Sequence, residues 1–360
     1  MRKKTFVAIM YNEPSVPTDD TIKYISDTGV LQSADKIKQQ VPEPLVDLSE
    51  VGVLEEKEDI AKALQTLGYR TSIFNVDSNI SRLVNFLTDE KPDVIFNLCE
   101  SVGSEAIHEM HVAGIYELMK IPYTGSGPLA LGIALNKELL KKFLLFHNLP
   151  TPRYQLFKSP VRMNLEDHMQ FPMIVKPSRE DASIGIEPSS VVNNMNELRK
   201  RVRWIIERFD QPALVEEYID GRELNVAILG TRKPTVFPIS EIDMSTLPKH
   251  YPRIITYNAK WLKGTEEYEN TKGVCPALLP PELETRIKEM ALQVFQLLGC
   301  RDYARIDIRL SKDYQPYILE INPNPDISDD AGFSRSAGVG GYKFEEFIGK
   351  IVESALERAY

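Results

Sequence analysis

Two neighbouring runs of sequence decide how this chain is interpreted: Ala304-Arg305-Ile306-Asp307-Ile308-Arg309-Leu310, and Tyr317-Ile318-Leu319-Glu320-Ile321-Asn322. Each alternates polar with apolar residues, which is typical of a β-strand whose successive side chains point to opposite faces. Glu320 and Asn322 therefore project together, and a neighbouring strand would bring Asp307 alongside them. Carboxylates in apolar strands are costly to bury unless a cation neutralises them. Three such oxygen donors suit Mg²⁺ shared with nucleotide phosphates, which predicts an ATP-using enzyme.

Composition narrows the class of protein. The chain has 360 residues, 42% of them hydrophobic and 26% charged, which is typical of a soluble globular protein with two or three domains. Its net charge of -9 argues against nucleic acid or an anionic membrane as partner, since both favour basic surfaces. Three widely spaced cysteines without a CxxC pair predict a reduced, cytoplasmic protein with no disulfide framework. Residues 1–10 are interpreted as a first strand rather than a secretion signal.

The chain divides into three parts. Strands and helices alternate in residues 1–127, which predicts an α/β domain with a parallel sheet. It carries a long insertion at 11–50, and connections of that length are either mobile lids or disordered. A central part at 128–211 and a C-terminal part at 212–360 follow, the latter with α+β character. We expect strands near 6–10, 70–76, 93–98 and 171–177, and helices near 57–67, 105–119, 136–146, 195–209, 281–298 and 344–359.

A lysine at the end of an apolar strand is the next feature. Lys176 follows Met173-Ile174-Val175 and precedes a loop, 178–186, whose small residues would let backbone N–H groups approach phosphates. The loop lacks the GxxxxGK[ST] pattern, which disfavours a P-loop NTPase. Taken alone, a lysine whose stem packs on apolar surface beside an ordinary loop is the simpler explanation.

A second polar cluster follows the apolar run Leu214-Val215. Glu216 offers an acceptor for an adenine amino group, Tyr218 and Ile219 offer an apolar wall for the ring, and Glu223 could accept from ribose hydroxyls. A strand–turn–strand hairpin with charged edges is the alternative, and it is favoured when the cluster is considered alone.

In their order along the chain, these motifs resemble those of ATP-grasp enzymes, and more closely those of the D-alanine–D-alanine ligase family. The resemblance covers nearly the whole chain from about Leu54 onward, and the ordered set is specific although each piece alone is weak. The further matching pieces are Ile121-Pro122-Tyr123-Thr124-Gly125-Ser126-Gly127, Asn136-Lys137 with Lys141-Lys142, Tyr257-Asn258-Ala259-Lys260 and Cys275-Pro276-Ala277. The resemblance implies an ATP-grasp fold preceded by an N-terminal parallel-sheet domain.

The resemblance also implies a nucleotide site. Lys137 and Lys176 would hold the phosphates of ATP, with Lys176 also near adenine. Ser183 lies in the loop that would close over the phosphates, and Lys260 would reach the transferred phosphate. The positions matching the adenine pocket and the ribose acceptor are Glu216, Tyr218, Ile219 and Glu223.

The implied activity is a carboxylate–amine ligase that forms a peptide bond through an acyl phosphate. Asp307, Glu320 and Asn322 match the ligands of two Mg²⁺ ions, for which Mn²⁺ could substitute. Arg305 matches the arginine that stabilises the developing oxyanion, a role suited to a permanently charged, planar group. An ion pair between Arg305 and Asp307 or Glu320 is the alternative, and both can hold. Because water competes for an acyl phosphate, a lid is needed; the candidates are 178–186, 262–274 and 11–50.

The chain departs from the family pattern where substrates would bind. Ala182 replaces the first of two adjacent serines in the phosphate loop, and Trp261 replaces a tyrosine. Asp326 stands where a glycine is usual. Residues 329–332, Asp329-Asp330-Ala331-Gly332, replace a Ser-Leu pair. Cys99 or Glu100 takes the place of a histidine, and the N-terminal glutamate is either Glu13 or Glu50.

These departures predict altered amino-acid specificity. Three aspartates near an acceptor pocket would repel a free carboxylate and favour a cationic amine. Two alternatives stay open: an authentic D-alanine–D-alanine ligase of peptidoglycan synthesis, and a nucleotide-binding protein without ligase activity. A dehydrogenase is disfavoured because the turn at 124–127 is not GxGxxG. The expected partners are small amino-acid or peptide substrates and, from related ligases, a second copy of the chain in a homodimer.

Overall fold

The N-terminal part is built on a parallel sheet. The computed structural model describes residues 4–13, 52–103, 105–161, 163–328 and 331–358, so most of the 11–50 insertion lies outside the described residues. Three parallel strands, β1 (Phe6–Tyr11), β2 (Arg70–Asn75) and β3 (Val94–Leu98), pair with β1 in the middle. The sheet expected from strand–helix alternation is confirmed. The connecting helices are α1 (Val53–Thr66), α2 (Ile80–Glu90) and α3 (His108–Leu118).

Strand β1 is buried on both faces because helices cover each side of the sheet. Val7 and Ile9 pack into one apolar cluster with Ile60 and Leu64 of α1. Ala8 and Met10 belong to a second cluster, on the opposite face, that also contains residues of α2 and α3. A strand covered on both faces gives the continuous apolar run seen in the sequence.

The central sheet is antiparallel. Its strands are β4 (Tyr154–Phe157), β5 (Met173–Pro177), β6 (Val191–Val192) and β7 (Ala213–Glu217). They pair in the order β4-β7-β5-β6. Two helices, α4 (Pro128–Leu135) and α5 (Lys137–Phe146), precede this sheet, and α6 (Met195–Phe209) covers one face of it. Helix α6 begins where the side chain of Asn194 accepts from the N–H groups of Asn196 and Glu197 at 3.1 Å, a strong N-terminal cap.

The C-terminal sheet is also antiparallel. Its strands are β8 (Gly221–Leu229), β9 (Thr235–Val236), β10 (Ser240–Asp243), β11 (Lys272–Val274), β12 (Tyr303–Ser311) and β13 (Pro316–Asn322). They pair in the order β11-β10-β8-β12-β13, with β9 added to β8. The helices are α7 (Tyr257–Trp261), α8 (Glu266–Glu269), α9 (Pro281–Leu298), α10 (Gly332–Val339) and α11 (Phe344–Arg358). Within the described ranges, no helix combines the length and apolar character needed to cross a bilayer.

Strands β7 and β8 follow each other in the chain but belong to different sheets. The hairpin considered for the cluster around Glu216 is therefore wrong, because β7 and β8 do not pair and residues 218–220 pass from one sheet to the other. We therefore propose that the central part ends at residues 218–220 rather than at residue 211. Helices α4 and α5 contribute Ala130, Leu140 and Leu144 to the apolar core of the C-terminal sheet, so we propose that they belong with it.

The glycine-rich turn at 124–127 joins the N-terminal part to the C-terminal part. The backbone N–H of Gly125 donates to Asp302 at 2.9 Å, and that of Ser126 donates to Asn324 at 3.1 Å. Gly125 has a φ of 90°, and a Cβ there would lie 2.1 Å from the amide oxygen of Asn324. Only glycine fits this position. The turn is thus used for internal packing rather than as a dinucleotide-binding loop.

Candidate active site

A cleft of about 1760 Å³ is lined by residues of the central and C-terminal sheets. All twelve residues assigned from the sequence to nucleotide, metal or catalysis line it. Lys176 comes from β5 and Glu216 from β7, while Asp307 lies on β12 and Glu320 on β13. Helix α5 adds Lys137. The chain therefore brings together residues that are up to 185 positions apart in the sequence, counting from Lys137 to Asn322.

The three expected metal ligands meet on two adjacent strands. Asp307 pairs directly with Glu320, and Arg305 pairs with Asn322, in the antiparallel register of β12 and β13. Asn322 donates from its amide to the Asp307 carboxylate at 2.9 Å. The alternation in the sequence correctly predicted this juxtaposition, because cross-strand neighbours on one face lie within contact distance.

Asp307 is held from three sides. Arg305 donates two hydrogen bonds to its carboxylate, both at 2.8 Å. Asn225 of β8 donates from the other neighbouring strand at 2.7 Å. Burial raises the pKa of Asp307, and the charge of Arg305 only partly opposes that rise. The ion pair considered for Arg305 is present, with Asp307 as the partner. Bidentate pairing of this kind fixes both side chains in orientation.

Glu320 lies where four cationic side chains converge. Its partly buried position would raise its pKa, but Lys137, Lys176, Arg305 and Lys260 outweigh this and lower the pKa to about 2. The ammonium of Lys137 is 3.7 Å from the carboxylate. The four cations come from α5, β5, β12 and α7. Such a concentration of positive charge in a cleft favours a polyanionic ligand.

Glu216 is buried between two lysines. Its carboxylate oxygens lie 2.7 Å from the Nζ of Lys141 and 2.9 Å from the Nζ of Lys176. Burial alone would raise the pKa of Glu216, but the two lysines hold it below its ordinary value. Burial lowers the pKa of Lys141 to about 8, although Glu216 opposes the change. Glu216 is therefore an ionised hydrogen-bond acceptor that lines the cleft. Lys141, which does not line the cleft, balances its negative charge.

The loop 178–186 is closed over Lys137. The carboxylate of Asp181 accepts from the Lys137 ammonium at 2.8 Å. Trp261 donates from its indole nitrogen to the carbonyl oxygen of Ala182 at 2.9 Å. Ala182 and Ser183 both have positive φ, 53° and 62°. Two successive non-glycine residues in the left-handed region are strained, so this loop conformation depends on contacts made elsewhere.

Lys260 is positioned by a short capped helix. The hydroxyl of Thr256 accepts from the N–H of Ala259 at 3.1 Å and donates to Glu267 at 2.7 Å. Asn258 donates to the other oxygen of Glu267 at 3.0 Å. The Lys260 ammonium lies 4.9 Å from the ring centre of Trp261, the residue that also contacts the loop.

The donor set fits Mg²⁺. Asp307 and Glu320 supply carboxylates, and Asn322 supplies an amide oxygen, on adjacent strands at the cleft. Mg²⁺ is usually bound by one or two carboxylates together with phosphate oxygens and water. In the parts of the chain that the structure describes, no three His, Cys, Asp or Glu side chains form a metal site by themselves.

The cleft becomes acidic towards the N-terminal part, where Glu56, Glu100 and Asp326 line it. Glu56 accepts from the backbone N–H of Ile327 at 3.1 Å. Burial raises the pKa of Glu56 well above its ordinary value, and the negative charge of Asp326 adds to the rise. An additional carboxylate would be repelled here, whereas an ammonium group would be stabilised.

The residues considered for substrate binding differ in whether they line the cleft. Cys99 is buried beside the hydroxyl of Tyr116, where burial raises its thiol pKa, whereas Glu100 lines the cleft. Glu13 is outside the cleft lining and accepts from the hydroxyl of Tyr11 at 3.3 Å. The other candidates, Glu50, Asp329 and Asp330, lie outside the described residues.

Some residues that hold the assigned side chains were not assigned from the sequence, and three examples follow. Asn225 contacts Asp307, Lys141 contacts Glu216, and Asp181 contacts Lys137. A signal for Asn225 exists, since it is the one polar residue in the run Leu224-Asn225-Val226-Ala227-Ile228-Leu229. The contact of Asp181 with Lys137 joins residues 44 positions apart, and no local pattern predicts it.

This three-sheet arrangement around a cleft is the ATP-grasp fold. It superimposes on the crystal structure of D-alanine–D-alanine ligase from Bacillus anthracis complexed with ATP with a TM-score of 0.70, at 21% sequence identity, covering 99% of this chain and 98% of that one. The family model described as the D-ala D-ala ligase C-terminus matches residues 143–353. The chain belongs to the D-alanine–D-alanine ligase family.

Two relatives in sequence illustrate its place in that family. D-alanine–D-alanine ligase of Carboxydothermus hydrogenoformans is 32% identical over 306 residues, which cover 83% of this chain and 91% of the relative. An uncharacterized protein of Sinorhizobium fredii is 31% identical over 308 residues, which cover 84% of this chain and 88% of that protein. Both matches extend well beyond the C-terminal family model.

Proposed function

We propose that this protein is an ATP-dependent ligase that joins a carboxylate to an amine through an acyl phosphate, with amino-acid specificity different from that of D-alanine–D-alanine ligases. The observation that carries the proposal is that Lys137, Lys176, Arg305 and Lys260 line the same cleft as Glu320, with the Lys137 ammonium 3.7 Å from its carboxylate. Four cations around the paired ligands Asp307 and Glu320 suit a triphosphate better than any neutral ligand.

In the proposed nucleotide complex, each side chain has a defined task. Lys137 and Lys176 bind phosphate oxygens, Lys260 contacts the transferred phosphoryl group, and the backbone around Ser183 covers it. Glu216 accepts from the adenine amino group, Tyr218 and Ile219 pack on the ring, and Glu223 accepts from the ribose. Two Mg²⁺ ions would be held by Asp307, Glu320 and Asn322, and when bound they neutralise phosphate charge.

The proposed reaction has two steps. A substrate carboxylate oxygen attacks the γ-phosphorus of ATP, which releases ADP and forms an acyl phosphate. The amine of the second substrate then attacks the acyl carbon, loses a proton and expels phosphate, leaving an amide bond. In this proposal, Arg305 donates to the oxygen that becomes negative in the tetrahedral species. Closure of the 178–186 loop would exclude water, which otherwise hydrolyses the acyl phosphate.

The acidic end of the cleft supports altered specificity. The carboxylates of Glu100 and Asp326 favour an acceptor that carries a positive charge over one that presents a free carboxylate nearby. An authentic D-alanine–D-alanine ligase is the second candidate, favoured by the relatives that carry that name. A nucleotide-binding protein without ligase activity is the third, although the full set of site residues disfavours it. We propose a cytoplasmic homodimer acting on small molecules.

An enzyme-coupled assay of ADP release in the presence of Mg²⁺ tests the proposal. The protein is assayed across pairs of D- and L-amino acids and diamines, and the products are identified by mass spectrometry. Altered specificity predicts turnover with a cationic acceptor and little with D-alanine alone. Full ADP release and formation of D-alanyl-D-alanine from D-alanine alone would reject altered specificity. They would support an authentic D-alanine–D-alanine ligase instead. Tight ATP binding with no acceptor-dependent ADP release would instead support the third.

A further inference from the structure

An arginine inside β12 has no role in the mechanism above. Arg309 is two residues beyond Asp307 and so lies on the same face of the strand as Arg305 and Asp307. It lines the cleft, yet only 3% of its surface is exposed. Arginine is almost never fully buried unless its charge is paired. The partners of Arg309 therefore indicate what the side chain is for.

All three nitrogen atoms of the Arg309 guanidinium donate hydrogen bonds. Its Nε donates to the carbonyl oxygen of Ile219 at 2.9 Å, and its Nη1 donates to Oε2 of Glu223 at 2.9 Å. Its Nη2 donates to the carbonyl oxygen of Arg253. Arg253 in turn donates from its backbone N–H to the hydroxyl of Tyr218 at 3.0 Å. One side chain thus ties together the 218–223 segment and the chain at 253.

We propose that Arg309 is a positioning residue for the nucleoside of ATP. It engages Oε2 of Glu223 and so leaves Oε1 to accept from the ribose hydroxyls, and it holds the Ile219 backbone where the base packs. This inference rests on the proposed function, since Glu223 as ribose acceptor is part of it. Arg309 is not among the site residues assigned from the sequence. It would act on the nucleoside indirectly, by positioning Glu223 and the backbone of Ile219.

The geometry of these hydrogen bonds indicates that Arg309 orients its partners rather than simply balancing the charge of Glu223. A lysine could neutralise Glu223, but only a planar guanidinium donates to a carboxylate and two carbonyl oxygens in fixed directions at once. The side chain of Glu223 is 16% exposed, so without Arg309 its carboxylate is left poorly paired and free to rotate. Loss of Arg309 is therefore expected to weaken recognition of the ribose more than recognition of the triphosphate.

Nucleotide discrimination tests this role. Binding of ATP, 2′-deoxy-ATP and 3′-deoxy-ATP with Mg²⁺ is measured by calorimetry for the unaltered protein, Arg309→Met and Arg309→Lys. We expect the unaltered protein to prefer ATP over at least one deoxy analogue about tenfold, and Arg309→Met to lose that preference while binding ATP about 10- to 100-fold more weakly. At saturating ATP, kcat is expected to stay within about threefold. Arg309→Lys should restore affinity in part but little discrimination.

Arg222→Met is the matched control. Arg222 precedes Glu223 in β8 but pairs with Glu241 at 2.6 Å, outside the cleft lining. It should lose an ion pair yet keep the ribose preference. The double variant Arg309→Met with Glu223→Gln should bind ATP no more weakly than Arg309→Met alone, because both changes remove one interaction.

The outcomes separate this inference from the proposed function. Failure of the unaltered protein to bind ATP rejects the proposed function. If ATP binds but neither deoxy analogue is discriminated, or if Arg309→Met folds and keeps the discrimination, the role of Arg309 is rejected while ATP binding stands. Should Arg309→Met fail to fold, as judged by circular dichroism, Arg309→Lys decides: full discrimination in that variant overturns the proposal.

Discussion

The carboxylate of Asp181 lies 2.8 Å from the ammonium of Lys137, the lysine proposed to bind phosphate. Burial of Lys137 would lower its pKa, but Asp181 and Glu320 outweigh this and raise it. Asp181 thus places a negative charge where a nucleotide phosphate is proposed to bind. In the proposed complex, a phosphate oxygen of ATP would compete with this carboxylate for the Lys137 ammonium.

Asp181→Asn should therefore bind ATP more tightly. The gain is expected to be about two- to fivefold, because the Asp181 side chain is 48% exposed and such ion pairs are weak. Calorimetric Kd values at low and high salt are the measurement, and the gain should shrink as salt increases. Glu180→Gln is the control, since Glu180 accepts from Gln211 instead. Equal or weaker binding by Asp181→Asn would show that the carboxylate does not compete.

Arg305→Lys should reduce kcat far more than ATP affinity. Lysine cannot donate two parallel hydrogen bonds to Asp307, so the cation is no longer fixed where the oxyanion forms. We expect kcat to fall about 10²- to 10³-fold, with the Kd for ATP changed by less than about fivefold. Steady-state ADP release and calorimetry measure the two quantities. Arg286→Lys, on the exposed surface of α9, should change neither, and a parallel loss of ATP binding in Arg305→Lys would assign Arg305 to the nucleotide instead.

The stability contribution of Lys141 should depend on pH. Its pKa is about 8 when folded, against 10.5 ordinarily. Between these values the unfolded chain binds more protons than the folded one, so the free energy of unfolding rises with pH. Relative to Lys141→Met, the unaltered protein should gain about 1–3 kcal/mol from pH 8 to pH 10.5, measured by urea denaturation. Lys142→Met, at an exposed position, should show no such trend; a pH-independent difference for Lys141→Met would contradict the lowered pKa.

Asp326→Asn should change the choice of acceptor. Removal of one charge from the acidic end of the cleft is expected to lower kcat/KM for a cationic acceptor about tenfold. The value for a neutral acceptor should stay constant or rise. Competition assays with paired acceptors and mass spectrometry measure the ratio. Asp313→Asn, in an exposed turn, is the control. An unchanged ratio for Asp326→Asn would show that this carboxylate does not contact the acceptor.

Elements with a clear periodicity were predictable from the sequence. The helices at Met195–Phe209 and Pro281–Leu298 have the expected bounds, since each has an apolar stripe and a defined start. Helix Val53–Thr66 begins four residues before the expected 57. Helix Pro128–Leu135 was not assigned, because its sequence is apolar throughout and carries no 3.6-residue pattern. Helix Ile80–Glu90 was also missed, although Asn79 caps it and Leu83 and Leu87 form its buried face.

The site was predictable where its residues share a strand or a motif. The pairing of Asp307 with Glu320 follows from alternation within two successive strands. The contacts of Lys141 with Glu216 and of Arg309 with Glu223 depend on packing between segments far apart in the chain. Local propensity contains no information on such contacts, so only the folded chain reveals them.

The three-residue link between Glu217 and Gly221 limits how the cleft opens. Three residues span roughly 10 Å at most, so the end of β7 and the start of β8 stay close together. The phosphate loop leaves β5 at Pro177, which pairs with Ala213 at the opposite end of β7. Displacement grows with distance from a pivot, so a rotation about this link would move the 178–186 loop further than Ile219. In the proposed nucleotide complex, such a rotation would alter the phosphate contacts more than the base contacts.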